Sequence, residues 1–347
     1  MRYPEFLKPN GTIGFVAPAF GCNIEPYQSA FEHAQEIFTK KGYRLVEGPN
    51  CRLGDGIGIS STPEKCGEEL NTFFARTDVD CLLSCGGGEL MCEDLPYVDF
   101  ASIRENPAKW YMGYSDNTNM TFLLATLCDT ASIYGPCAPA FGMEPWHPAI
   151  HDAFRVLTGE TLSLSGYDRW EKESLKDEEH PLMPYHVTEP VIRKCYQGDN
   201  LLPESETVQL EGRLLGGCMD CLSGLVGTRF DQVSDFVKRY KEDGILWFME
   251  ACDLNVFGIR RALWQFEQAG WFQHVKGFLI GRPLCFGQEM MGLDAYKAVI
   301  GILGKYQVPV IMDMDLGHLP PMLPLITGSI ARVQASASNL QIEMQLR

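Results

Sequence analysis

Short apolar runs alternate with amphipathic stretches of helical spacing along most of this chain, and that alternation limits the fold more than any other feature. Thr12-Ile13-Gly14-Phe15-Val16 is an apolar strand closed by Pro18. Ala30, Phe31, Ala34, Ile37 and Phe38 then recur at helical spacing over residues 27–41, and Gly42 stops the helix. Residues 43–46 read as a second strand. Thr62-Pro63-Glu64 opens a helix reaching about residue 76, with proline in its first turn. Residues 80–84 form a third strand, ending in Cys85-Gly86-Gly87-Gly88, and a short helix precedes a strand around Trp110. Strands spaced this way are joined by helical crossovers and must run parallel. The expected fold is therefore α/β, opening with a parallel-sheet domain of Rossmann or flavodoxin-like type.

A second alternating region begins near residue 208. Cys218 to Val226 reads as a helix opened by Gly216-Gly217, and Leu246-Trp247-Phe248-Met249 as a fully buried strand that delivers Glu250. A helix over 255–269, a strand over 275–281, a helix around 293–303 and a strand over 308–312 follow. The terminal segments 329–334 and 340–346 alternate as an antiparallel hairpin. Between the two regions the text is polar and proline-bearing. The expected organisation is an N-terminal α/β domain over 1–160, an interdomain linker over 161–207 and a C-terminal mixed α/β domain over 208–347. Trp170 stands out in that linker, because a large aromatic in solvated text usually rests on something, its own protein or a ligand.

The 347 residues suffice for two domains with cores of ordinary size. A formal charge of −16 opposes nucleic acid as a partner, since nothing compensates phosphate repulsion. The chain shows no signal-peptide core and no apolar run of membrane-spanning length, so a cytoplasmic protein without membrane contact is expected. Thirteen cysteines lie scattered through apparent strands and helices, where reduced cysteine packs as a small apolar residue. Cys218-Met219-Asp220-Cys221 is a single CxxC, weak as a zinc signature and better read as packing. The glycines at 54, 56 and 58 neither follow a strand nor open a helix, so they are no dinucleotide fingerprint.

In a parallel sheet the loops at the strands' carboxyl ends form the ligand crevice. Three polar residues fall just past buried strands: Ser115 after the Trp110 strand, Glu250, and His318 after the 308–312 strand. A serine on a sharp strand-to-helix turn sits beside unpaired helix N–H groups that can receive an oxyanion. Gly86 and Gly87 could bring further N–H groups close. Serine, histidine and glutamate are the types that acyl transfer needs. Each also suits a plain role: Ser115 as a helix cap, Glu250 as a cap or ion-pair acid, His318 as a loop histidine. His33, His147, His151, His180 and His186 lie in helices or the linker. Spacing alone does not bring the three residues together.

Gly113-Tyr114-Ser115-Asp116-Asn117-Thr118 is similar to the glycine-tyrosine-serine-aspartate turn of the LD-carboxypeptidase family of serine peptidases, which includes the microcin C self-immunity proteins. The likeness covers nearly the whole chain. Cys85-Gly86-Gly87-Gly88 with Leu95-Pro96-Tyr97-Val98-Asp99 resembles the family's double glycine and downstream motif. Gly216-Gly217-Cys218-Met219-Asp220, Leu246-Trp247-Phe248-Met249-Glu250 and the segment from Gly317-His318 to Pro324-Leu325 resemble its second-domain motifs. The sequence departs from the family at Gly88-Glu89-Leu90, in place of tyrosine-glycine, and in its long interdomain segment. The resemblance implies a Ser115–His318–Glu250 triad at the interface of the two domains. It implies an oxyanion hole of backbone N–H groups from Asp116 and from Gly87 or Gly86, no metal or organic cofactor, and a homodimer.

Two substrates are compatible with that chemistry: the amide before a terminal D-amino acid in murein tetrapeptide, or the carboxamide of a peptidyl- or aminoacyl-nucleotide. A non-catalytic α/β binding protein is the alternative from another class. For the nucleotide reading, Trp170 is the candidate substrate-binding residue, since an exposed indole could stack on a purine; packing on its own domain is the alternative.

Overall fold

The computed structural model describes residues 1–347. The chain forms two compact units, one of residues 1–161, 173–186 and 324–326, the other of residues 162–172, 187–323 and 327–347. The segment 161–207 is thus not the expected linker. It is divided between the units and carries the strands β6 (Ser163–Ser165), β7 (Arg169–Glu171), β8 (Val187–Pro190), β9 (Lys194–Gln197) and β10 (Asn200–Leu201). These strands are short, and β6 buries only Leu164 between two exposed serines. So few inward residues leave a text that reads as polar connection.

The first unit is built on β1 (Thr12–Val16), β2 (Arg44–Glu47), β3 (Cys81–Ser84), β4 (Trp110–Gly113) and β5 (Ser132–Tyr134), with β17 (Leu325–Thr327) at one edge. Their spatial order is β17-β5-β4-β3-β1-β2, and β1 to β5 pair in parallel. The order 2-1-3-4-5 is the flavodoxin-like arrangement, which reverses direction between β1 and β3. The helices are α1 (Tyr27–Lys40), α2 (Pro63–Ala75), α3 (Phe100–Glu105), α4 (Thr118–Cys128) and α5 (Pro148–Leu157). Thr62 caps α2 through its side chain, as the Thr-Pro-Glu signal predicts. Unlike its amphipathic neighbours, α4 buries every position from Thr118 to Thr126. A helix apolar all round belongs in the interior, and its N-terminus is where the chain leaves β4.

The second unit holds a nine-stranded sheet, adding to β6, β9 and β10 the strands β11 (Val208–Cys218), β12 (Ile245–Glu250), β13 (Val275–Gly281), β16 (Pro309–Met314), β18 (Ile330–Ala335) and β19 (Leu340–Gln345). The order is β10-β9-β16-β13-β12-β11-β18-β19-β6. β11, β12, β13 and β16 run parallel at its centre, and antiparallel strands complete both sides. The helices are α6 (Met219–Leu225), α7 (Val233–Arg239), α8 (Val256–Gln268) and α9 (Ala295–Leu303), and β14 (Glu289–Met290) pairs with β15 (Leu293–Asp294). The expected Cys218 helix begins one residue later, because β11 continues through Gly216-Gly217 to Cys218. Trp247 on β12 stacks on Trp271, which stacks on Phe266 of α8. These rings lock β12 and the glutamate at its end.

Candidate active site

In the first unit, the turn after β4 places Ser115 in the left-handed region, at φ 63°. A non-glycine residue there stores strain of about 1–3 kcal/mol, and such strain concentrates at functional turns. The turn is held on several sides. Ser115 N donates to the Tyr134 hydroxyl at 3.3 Å. Asn117 donates through Nδ2 to the carbonyls of Gly86 at 2.7 Å and Tyr114 at 3.1 Å, and the buried Tyr111 hydroxyl donates to Asn117 Oδ1. Neither Tyr114 before this turn nor Asn117 before α4 caps its helix through a side chain, and the Asn117 side chain instead ties the turn to Gly86. Ser115 itself stays partly exposed.

The glycine loop after β3 lies directly against this serine. A Cβ at Gly87 would fall 3.0 Å from Ser115 Oγ and 2.9 Å from its Cβ, so only glycine lets the loop come this close. The Gly86 carbonyl is engaged by Asn117, and a Cβ there would meet Phe20 rather than Ser115. Gly87 is therefore the nearer of the two to the serine and to the Asp116 N–H. Asp116 is buried. Its Oδ2 accepts from Met91 N at 2.8 Å and its Oδ1 from Asn119 Nδ2 at 3.0 Å.

In the second unit, β12 delivers Glu250, only 1% exposed, and the turn after β16 delivers His318. His318 Nδ1 lies 2.9 Å from Glu250 Oε2. Gly317 makes this approach possible: its φ is +92°, and a Cβ there would stand 2.5 Å from the same carboxylate oxygen. Burial of the ring opposes its protonation, but Glu250 and the hydrogen-bonded Cys252 side chain outweigh it, and the His318 pKa is pushed up to about 11. Nδ1 is the ring nitrogen that faces Glu250.

The loop carrying His318 is braced by residues whose roles were not legible in the sequence. Asp315 is fully buried and accepts from Arg193 Nη2 at 2.6 Å, Arg282 Nη2 at 2.8 Å and Tyr167 N at 3.1 Å. Glu171 N donates to the Pro320 carbonyl at 2.7 Å. Of the two roles open to Trp170, packing and purine stacking, the structure shows packing: it is 4% exposed and lies with Val191 and Leu319. Its N–H donates to the Pro190 carbonyl at 3.2 Å, its ring meets Phe286 edge-on, and the Arg282 guanidinium lies over it. An indole so enclosed is a packing residue under the histidine loop, and no face is left for a purine. His33 binds the Gly142 carbonyl and His147 caps α5.

None of the thirteen cysteines forms a disulfide, and no group of three or more His, Cys, Asp or Glu side chains is arranged to hold a metal ion. No helix is long and apolar enough to cross a membrane.

Residues 13–135 match the LD-carboxypeptidase N-terminal domain, and residues 211–333 match the LD-carboxypeptidase C-terminal domain. The microcin C7 self-immunity protein MccF of Escherichia coli is 26% identical over 347 residues, covering 98% of this chain and 95% of its own. Among solved structures, an MccF-like protein from Bacillus anthracis superposes with a TM-score of 0.82 at 22% identity, over 99% of this chain and all of its own. MccF in complex with aspartyl sulfamoyl adenosine gives 0.79 at 22% identity, over 99% of both chains. With both family domains matched in order, and with a strained serine turn in one unit and a His–Glu pair in the other, the chain belongs to the LD-carboxypeptidase family of serine-peptidase-type hydrolases.

Proposed function

We propose that the chain hydrolyses the amide before the terminal D-amino acid of murein tetrapeptide, with Ser115 as nucleophile, His318 as base and Glu250 as the acid that orients it. The observation that carries this reading is the Glu250–His318 hydrogen bond, which holds the imidazole as the base of a hydrolytic triad is held. In this mechanism His318 Nε2 takes the Ser115 proton as Oγ attacks the carbonyl carbon. Glu250 stabilises the imidazolium. The oxyanion is received by the N–H groups of Asp116 and Gly87, each such donor contributing roughly 3–4 kcal/mol to the barrier reduction. Collapse expels the D-amino acid with a proton from His318, and water then releases the acyl group by the same steps in reverse. No metal or organic cofactor enters. The reading includes a cytoplasmic role in recycling cell-wall peptide and a homodimeric assembly.

A second reading rests on the MccF relatives, one of which binds aspartyl sulfamoyl adenosine. The same triad would cleave the carboxamide of a peptidyl- or aminoacyl-nucleotide. The enclosure of Trp170 removes the residue expected to favour a purine, so the tetrapeptide stands first. Parallel assays with free murein tetrapeptide and an aminoacyl-sulfamoyl adenylate decide between them. Release of D-alanine at a higher kcat/KM supports the first, and preferential adenylate cleavage replaces it with the second. Failure of a fluorophosphonate to label Ser115 would reject both.

A further inference from the structure

Asp94 lies between two short turns, Met91–Glu93 and Leu95–Tyr97, that follow the glycine loop of the first unit. It is 0% exposed, and neither carboxyl oxygen has a hydrogen-bond partner. The titratable groups facing it are Asp116 on the Ser115 turn, Glu93 beside it in the chain, and Glu69 and Cys66 on α2. None of these is a cation. A carboxylate stripped of water, donors and counter-charge is among the least favourable groups a protein can bury, whereas the neutral acid is tolerated.

The donors in this neighbourhood go to Asp116 instead. Asp116 receives Met91 N and Asn119 Nδ2, and a Cβ at Gly88 would lie 3.2 Å from its Oδ2. Its carboxylate therefore ties the chain after the glycine loop to the turn that carries Ser115. Asp94 stands one short turn beyond Met91, with its own N–H bonded to the Met91 carbonyl at 3.0 Å.

We propose that Asp94 is a positioning residue that must carry a proton, and that its ionisation sets a negative charge against Asp116 and releases the Met91–Asp116 tie holding the glycine loop to Ser115. Burial first, then Asp116, Glu93 and Glu69, push its pKa up to about 9. The sign follows: the folded state binds this proton more tightly than the unfolded chain, whose aspartate titrates near 3.9. Stability from that proton is complete at acid pH and is lost progressively until pH passes about 9. The loss of the tie bears on activity through the reading of Ser115 as nucleophile. The buried proton itself does not depend on that reading.

The test compares the full chain with Asp94→Asn and Asp94→Leu, both without a proton to lose. Melting temperatures are measured from pH 5 to pH 10, together with the rate of fluorophosphonate labelling of Ser115. Relative to wild type, both variants should gain melting temperature with each step from pH 5 to 9, by about 5 °C or more in total, and level off above. The ratio of Asp94→Asn to wild-type labelling should be near one at pH 7 and rise about tenfold by pH 10, a ratio from which the titration of His318 cancels. Variants that are less stable than wild type at pH 9, or whose stability difference does not change with pH, overturn the proposal. So does a labelling ratio that stays flat while wild type is labelled. The expected stability pattern with no labelling of any form would reject the nucleophile reading and leave the buried proton standing.

Discussion

His318 Nδ1 and Glu250 Oε2 meet at 2.9 Å across a position that only glycine can occupy, since the Gly317 backbone at φ +92° leaves no room for a Cβ beside the carboxylate. Sixty-eight residues of chain separate the two partners. The contact is set by the ends of β12 and β16, which both flank β13 in the sheet.

This pair shifts the pH dependence. An ordinary histidine would give a rate rising near pH 6–7, whereas Glu250 and Cys252 hold the His318 proton to about 11 against the opposing effect of burial. Hydrolysis should therefore climb through the alkaline range. Because the folded pKa is raised, the stability gained from the protonated ring is present below about pH 6.5 and lost as pH rises toward the folded value. Glu250→Gln should move the rising limb back toward neutral, cut turnover by roughly 10⁴ and lower the melting temperature most at acid pH, where the protonated ring stabilises the fold. A kcat profile with an unmoved limb would separate Glu250 from the base.

Ser115→Ala should abolish labelling and hydrolysis, with a loss on the order of 10⁴–10⁶ in turnover. The fold should persist, because the turn is held by Asn117 and Tyr134. Retention of a tenth of wild-type turnover would remove Ser115 as nucleophile.

Gly317→Ala places a methyl group 2.5 Å from Glu250 Oε2. Displacing His318 by about an ångström should lower kcat on the order of 100-fold while KM changes little. An unaffected kcat would show that the His–Glu contact does not govern the rate.

Trp170→Ala should act through stability. Removal of a buried tryptophan costs about 3–5 kcal/mol, read as a lower melting temperature, with equal losses on peptide and nucleotide substrates. Trp170→Phe should recover most of the stability. A selective rise in KM for the nucleotide, at unchanged melting temperature, would return the indole to the binding site.

Asp315→Asn removes the charge that Arg193 and Arg282 share. Breaking a buried ion pair from one side costs about 3–5 kcal/mol, and the His318 loop should loosen with it, visible as faster amide exchange over residues 315–320. Unchanged exchange would confine Asp315 to a role elsewhere in the unit.

The sequence alone determined the α/β class, the parallel strands and the three residues at strand ends. Periodicity in apolar text is a local record of which faces are buried, and Thr62-Pro63, Gly42 and Gly113 mark the ends of elements by backbone chemistry that needs no partner. The family motifs added the roles proposed for Ser115, Glu250 and His318. Tertiary structure decided what depends on neighbours distant in the chain. Trp170 sits in polar text, yet Val191, Leu319 and Phe286 enclose it. Segment 161–207 reads as a linker because edge strands bury few residues, and its pairing with β16 and β19 is a long-range fact. Nothing in the sequence marks Asp94, and only the packing around it leaves both carboxyl oxygens without a hydrogen-bond partner. Burial and partnership belong to the assembled fold, so a residue's type could name its chemistry but not whether water, another side chain or nothing would face it.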